Sequence, residues 1–274
     1  MRIRLYNPKF RFYKSRGIFP YHSNLLFGFE NEVNINEHII TQKGEKKIDD
    51  FLRKYPFIYF KEEVGFENGA ELNSHPMNWN FYLKNKDFVK DLCDLQNKYF
   101  FKSTMQCGFH IHFSRKYFTK KHLRKLCKFF YSKKHYDFLF KISGRRISSF
   151  AEWCSPLLPI DYYETNYETN SENYKQYTYK DVANFTRYQF NSNLGGKGYI
   201  LNLFPKHTIE LRMFAGTLNP KRMMAYMEFC LAVILFTEQF EEKDITVKNF
   251  KKYVKDNITK HSLTNCYNLI YDRH

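Results

Sequence analysis

The sequence predicts an α+β protein, with one sheet of apolar-backed strands covered by helices. Three observations carry the prediction: several segments alternate with a period of two, others have helical spacing, and the chain is apolar and aromatic enough to fill a core. The clearest strand is Gln106 to Ser114, QCGFHIHFS. One face carries Gln106, Gly108, His110, His112 and Ser114, and the other carries Cys107, Phe109, Ile111 and Phe113. Side chains on a strand alternate between faces, so this one has an apolar back and a polar, ligand-like front.

Taken in order, Leu25 to Ile35 is a second such strand, with Leu26, Gly28, Glu30, Glu32 and Asn34 on one face and Phe27, Phe29, Asn31, Val33 and Ile35 on the other. Lys46 to Tyr55 reads as a short helix stopped by Pro56. Phe57 to Phe60 and Ala70 to Asn73 read as short strands, and Glu71 shares a face with Asn73. Asn80 to Phe100 has helical spacing, and Thr119 is an N-cap for a helix reaching about Ile142 whose lysines form a basic outer face. Ser143-Gly144-Arg145-Arg146 ends that helix. About 156–196 is a polar insertion or lid, rich in Tyr and Asn, with a tandem Tyr-Glu-Thr-Asn repeat at 163–170. Tyr199 to Phe204 and Thr208 to Phe214 form a hairpin, with Thr208, Glu210, Arg212 and Phe214 on one face of its second strand. Asn219 caps a helix with Pro220 at its first position, and a last helix near Val247 to Ile258 closes the chain.

Length and composition narrow the classes. A chain of 274 residues with 43% apolar content can bury a sizeable core, and the whole is read as one catalytic domain behind a basic lead-in, 1–24. No apolar run is long enough to span a bilayer, and the N-terminus lacks a signal-peptide pattern, so a cytoplasmic location is expected. The six cysteines are scattered without Cys-x-x-Cys spacing, which fits reduced core thiols. The net charge of +16 leaves nucleic acid as a possible partner. The bland explanation is favoured: Lys, Asn, Tyr, Phe and Ile abound, as AT-rich coding yields, and no nucleic-acid motif is present.

Three apolar-backed strands each present a polar pair at i and i+2: Glu30/Glu32, His110/His112 and Glu210/Arg212, with Glu71 on a fourth. On one sheet, these fronts would face a common cavity. Two carboxylates at ~4 Å repel by about 4 kcal/mol at an effective dielectric of 20, so the face needs compensation from arginine, imidazole or divalent cations. Carboxylates outnumbering imidazoles suit Mg²⁺ or Mn²⁺ better than zinc. An arginine beside a ligand glutamate suits a transferring phosphoryl group. The residues therefore point to a metal-dependent enzyme acting on a phosphorylated substrate such as ATP. For any one pair alone, a salt-bridged strand face would be the better reading.

These residues resemble the amidoligase family, the phage- and prophage-associated carboxylate–amine ligases related to glutamine synthetase and glutamate–cysteine ligase. The Gly-x-Glu-x-Glu block is Gly28-Phe29-Glu30-Asn31-Glu32. The Asp-Gly-Ser turn and the block after it are similar to Glu63-Val64-Gly65 and Glu71-Leu72-Asn73-Ser74-His75-Pro76. Gly-x-His-x-His is Gly108 to His112, the Arg-Arg block is Arg145-Arg146 with Phe150, and the last block is Thr208 to Arg212 with Gly216-Thr217. The Asp-Gly-Ser turn is degraded here: Glu63 takes the Asp position with a longer reach, and Glu67 competes for the role.

The resemblance implies a curved, mostly antiparallel, glutamine synthetase-like sheet backed by helices on one face. It implies ATP with two Mg²⁺ or Mn²⁺ ions, one held by Glu30, His110 and Glu210, the other by Glu32, Glu71 and Glu63. His112 and Ser114 would contact the nucleotide and Arg212 the γ-phosphate, with Arg145 or Arg146 at phosphate or carboxylate. The reaction implied is amide or isopeptide formation through an acyl phosphate, with Glu71, Glu210 and Arg212 as its catalytic residues. The carboxylate and amine substrates, whether small molecule, peptide or protein, are not specified. Two rival readings remain open: a single-zinc or iron His-x-His enzyme, and a non-catalytic protein binding nucleic acid or a host protein. A Cys107 nucleophile is disfavoured, because parity turns Cys107 to the apolar back.

Overall fold

A computed structural model describes residues 11–15, 24–35, 42–63, 69–99, 101–102, 107–145, 200–203 and 205–272. The expected lid at about 156–196 lies outside these residues. The chain divides into two compact units: Met1–Ser114 with Ala215–Met224, and Arg115–Phe214 with Ala225–His274.

The first unit is built on an antiparallel sheet. Its strands are β1 (Leu26–Ile35), β2 (Ile58–Glu63), β3 (Gly69–Ser74), β4 (Met77–Asn78), β5 (Phe101–Lys102) and β6 (Gly108–Ser114). The order β2–β3–β1–β6 puts β1 inside, and β4 and β5 also pair with β1. The helices are α1 (Gln42–Lys54), α2 (Trp79–Asn85) and α3 (Asp87–Tyr99). The apolar parity read from the sequence is the core: Phe27, Phe29, Val33, Phe109, Ile111 and Phe113 are buried. Phe29 stacks on Phe88 of α3 at 5.8 Å, and Phe27 packs on Trp79 and Tyr82 of α2, so helices cover the back of the sheet.

The Asn80 to Phe100 helix is two helices, parted at Lys86. Asn78 caps the first, its Oδ1 accepting from Phe81 N at 2.9 Å. One polar residue sits in the apolar back. Asn31 is fully buried and exchanges hydrogen bonds with the Thr217 backbone, donating from Nδ2 at 3.3 Å and accepting at Oδ1 at 3.5 Å. Beside it Gly216 N donates to Cys107 O at 2.7 Å. These bonds dock the returning 215–219 segment against the first unit.

The second unit contains α4 (Lys120–Tyr131), α5 (Tyr136–Ser143), strands β7 (Leu201–Asn202) and β8 (Thr208–Ala215), most of α6 (Pro220–Gln239), α7 (Val247–Asp256), α8 (Ile258–His261) and α9 (Thr264–Ile270). Thr119 caps α4 as its sequence predicts, accepting from His122 N at 3.1 Å, and Asn219 caps α6, accepting from Arg222 N at 3.1 Å. The helix expected to reach Ile142 instead breaks at Ser132 into α4 and α5. Gly144, at φ 69°, terminates α5 in the left-handed conformation that glycine tolerates. Two short helices follow α7, where one final helix was expected. Phe129, Phe229, Phe236 and Phe250 meet edge to face in the core.

Lys120 and Lys121 of α4 lie on the solvated face that their spacing predicts, and Lys125 and Lys128 depart from it. Lys125 is buried and donates from Nζ to Glu238 O at 3.0 Å and Phe240 O at 2.7 Å. Lys128 donates to Glu242 O, and Arg124 pairs with the Glu242 carboxylate at 2.6 Å. A helix C-terminus leaves carbonyls without intrahelical donors, and these cations fill that role at the end of α6. Nearby His122 is buried, with Nε2 3.0 Å from Thr237 Oγ1 and 3.1 Å from Ile234 O. Burial pushes its imidazole down to about 4.

Two outcomes follow. Asn31→Ala strands both backbone groups of Thr217 and is expected to lower the unfolding free energy by about 2–3 kcal/mol in a denaturant titration. His122 is neutral in the fold, so between pH 6.5 and about 4 the unfolded chain binds more protons and stability rises with pH. That interval is worth roughly 3 kcal/mol. Denaturation midpoints measured across it should flatten in His122→Asn relative to the unaltered chain.

Candidate functional site

The register of the first unit lays its polar side chains out in rows. Glu30 pairs with His110 on one side and Asn73 on the other, and Asn73 pairs in turn with Tyr59. In the next row Glu32 pairs with Glu71, and Glu71 with Lys61. Gly28 pairs with His112. Antiparallel partners directly opposite share a face, so Tyr59, Lys61, Glu71, Asn73, Glu30, Glu32, His110 and His112 form one polar surface. Gly28 is needed for close packing: a Cβ there would lie 3.2 Å from Ser74 O, beside the Ser74 hydroxyl that accepts from Phe29 N.

Glu30 is the centre of this surface. Its Oε1 lies 3.2 Å from His112 Nε2, and its Oε2 lies 3.6 Å from His110 Nδ1. Burial pushes the carboxyl up, but the hydrogen bonds and charges of the two imidazoles outweigh it and hold the group well below the ordinary carboxylate range. Glu32 Oε1 lies 3.8 Å from the same His110 nitrogen, while its Oε2 accepts from Gly108 N at 2.6 Å. Among the described residues, no lysine or arginine ion pair meets Glu30 or Glu32. Glu71 differs: its Oε2 is 2.9 Å from Lys61 Nζ and 3.4 Å from Asn73 Nδ2.

The other expected residues are placed as follows. Ser114 Oγ accepts from Leu26 N at 3.2 Å and donates to Asn24 O, tying β6 to the start of β1. Glu63 ends β2 opposite Gly69; its side chain, Glu67 and Arg146 lie outside the described residues. In the second unit Glu210 is buried, with Oε2 accepting from Asn202 Nδ2 at 2.7 Å and Oε1 paired with Arg212 Nη1. The salt-bridged strand face weighed for single pairs therefore exists at Glu210–Arg212. Arg145 is buried and donates to Met213 O at 3.3 Å and Phe214 O at 2.9 Å, while its Nη1 has no hydrogen-bond partner among the described residues. Cys107 is buried among the back-facing residues, as parity predicts.

Sequence reasoning passed over Tyr59 and Lys61. Burial and the charges of Glu30 and Glu71 push the Tyr59 hydroxyl up to about 12, so it remains a donor at neutral pH. The signal was available: in Ile58-Tyr59-Phe60-Lys61 the apolar residues alternate with the polar ones, which gives β2 the parity of its neighbours.

The donor set fits a hard divalent cation. Glu30 and Glu32 offer ionisable oxygens on adjacent same-face positions, with imidazole nitrogens beside them and, among the described residues, no lysine or arginine paired with either. Glu32 has a second role as the acceptor for the first amide of β6. Glu32→Ala should lower the unfolding free energy by about 1–3 kcal/mol, and Glu32→Gln should recover part of it, because an amide oxygen still accepts. Equilibrium unfolding of the two variants checks this.

The family model described as "Putative amidoligase enzyme" matches residues 37–234. That span takes in Glu71, His110, His112, Glu210 and Arg212 and begins just after Glu30 and Glu32. No curated protein matches the chain. Among the described residues, no helix is long and apolar enough to cross a membrane. Because the matched span covers most of the sequence, the chain belongs to the amidoligase family.

Proposed function

We propose that this chain is an ATP- and Mg²⁺-dependent carboxylate–amine ligase, forming an amide or isopeptide bond through an acyl phosphate. The observation that carries the reading is the polar front of the first unit, where Glu30 and Glu32 stand beside His110 and His112 and, among the described residues, pair with no lysine or arginine. Family membership supplies the ligase class. The glutamine synthetase-like form of the sheet and a phage or prophage setting rest on the resemblance, and the cytoplasmic location on the sequence pattern alone.

In this reading Glu30, Glu32, Glu71 and His110 are the ligands on the first unit, and the resemblance adds Glu63 of β2 to them. Bound divalent cations would neutralise the phosphate oxygens and the charge that develops on them. His112, paired with Glu30, would orient that carboxylate and contact the nucleotide. Arg212, paired with Glu210, presents a fork suited to phosphoryl oxygens and to transition-state charge. Among the described residues Arg145 Nη1 meets no acceptor and can take an anionic oxygen, while the rest of its guanidinium holds the end of β8. Ser114 supports β1 and sits at the nucleotide edge. The attacking group is the substrate carboxylate, which takes the γ-phosphoryl group from ATP. The amine then displaces phosphate.

The test is ADP release from ATP and Mg²⁺, screened across carboxylates and amines. Turnover that requires both substrates and falls on the order of 100-fold or more in Glu30→Ala and His110→Ala is expected. Cys107→Ala should be nearly silent. One tightly held zinc or iron, with no stabilisation by nucleotide, would overturn the reading.

A further inference from the structure

The Lys61–Glu71 pair is uneven. Glu71 projects from β3, inside the sheet, and its side chain is 7% exposed; Lys61 projects from the edge strand β2 and is 60% exposed. The carboxylate is held in place, with Asn73 Nδ2 also on its Oε2. The ammonium reaches it from solvent on a flexible four-carbon stem. Across the other strand edge, Glu71 stands opposite Glu32 in register. Like charges directly opposite destabilise a sheet, so without a metal the Glu71 charge needs a neighbour that compensates it.

We propose that Lys61 is an exchangeable counter-ion for the acid face. It holds Glu71 while no divalent cation is bound and gives way when a cation takes that carboxylate. This rests on the assignment of Glu71 as a metal ligand made above. Solvent-exposed ammonium–carboxylate pairs are weak, so displacement costs little, while a divalent ion brings twice the charge to a fixed oxygen. Lys61 thereby keeps the empty face folded and sets how tightly the cation binds. Mutation at such a position is expected to strengthen metal binding, the opposite of what loss of a ligand or of a packing contact produces.

The experiment is Mn²⁺ titration of the full chain by calorimetry and by loss of the free-Mn²⁺ paramagnetic signal, without nucleotide, in the unaltered chain, Lys61→Met and Lys61→Arg. Lys61→Met should bind Mn²⁺ roughly three- to tenfold more tightly at low salt, with the gain narrowing as salt screens the exposed pair, and Lys61→Arg should bind like the unaltered chain. Mn²⁺ should also raise the melting temperature of Lys61→Met by more than it raises that of the unaltered chain. Equal or weaker binding by Lys61→Met, or a gain of the same size in Lys61→Arg, overturns the proposal and leaves the metal site standing. Absence of Mn²⁺ binding in all three chains overturns the metal-site reading and this proposal together.

Discussion

The polar front of the first unit depends on one carboxylate. Glu30 lies on the strand with which β3, β4, β5 and β6 all pair, and it is held between two imidazoles of β6. Register is what makes this possible. A slip of one residue in β1 would turn Glu30 and Glu32 toward Phe88, Trp79 and Tyr82 and bring Phe29 to the polar side. The aromatic packing behind the sheet and the acid arrangement in front of it are thus fixed by the same pairing. A carboxylate kept ionised by two imidazoles is also a group whose charge can be shared with an incoming cation without any backbone rearrangement.

Much of this was legible because it is local. Strict alternation in β1 and β6 sets which side chains face forward, and the caps at Thr119, Asn219 and Pro220 lie within a few residues of the helices they start. The pairs His110/His112 and Glu30/Glu32 needed only parity. What escaped the sequence depends on partners distant along the chain. The breaks at Lys86 and Ser132 carry no proline or glycine to mark them. The burial of Lys125 requires the end of α6, over a hundred residues on. The Lys61–Glu71 contact requires a register that the sequence leaves open, since neither residue is unusual by itself. Glu210 and Arg212 shared a face as expected, and the structure adds that they neutralise each other, a possibility that spacing alone could not decide.

The fate of the α4 cations changes the meaning of the chain's net charge. A count treats every lysine as a solvated positive centre, whereas Lys125, Lys128 and Arg124 are spent on carbonyls and carboxylate at the end of α6. Part of the basic run on α4 is thus internal structure, while Lys120 and Lys121 stay exposed on the same helix.

Asn31 has a consequence for how the chain acquires its fold. Its two bonds go to Thr217, 186 positions later, and complete a unit whose other strands end at Ser114. At ribosomal speeds of about 5–20 residues per second, β1 waits roughly 10 to 40 s for that partner. Through that interval the Asn31 amide lacks its native partner, although α2 and α3 are already available to cover the sheet beside it. Residues 115–214 of the second unit are made before Thr217, but the α6 and α7 aromatics of its core come later still, so neither unit can close in the order in which its first elements leave the ribosome.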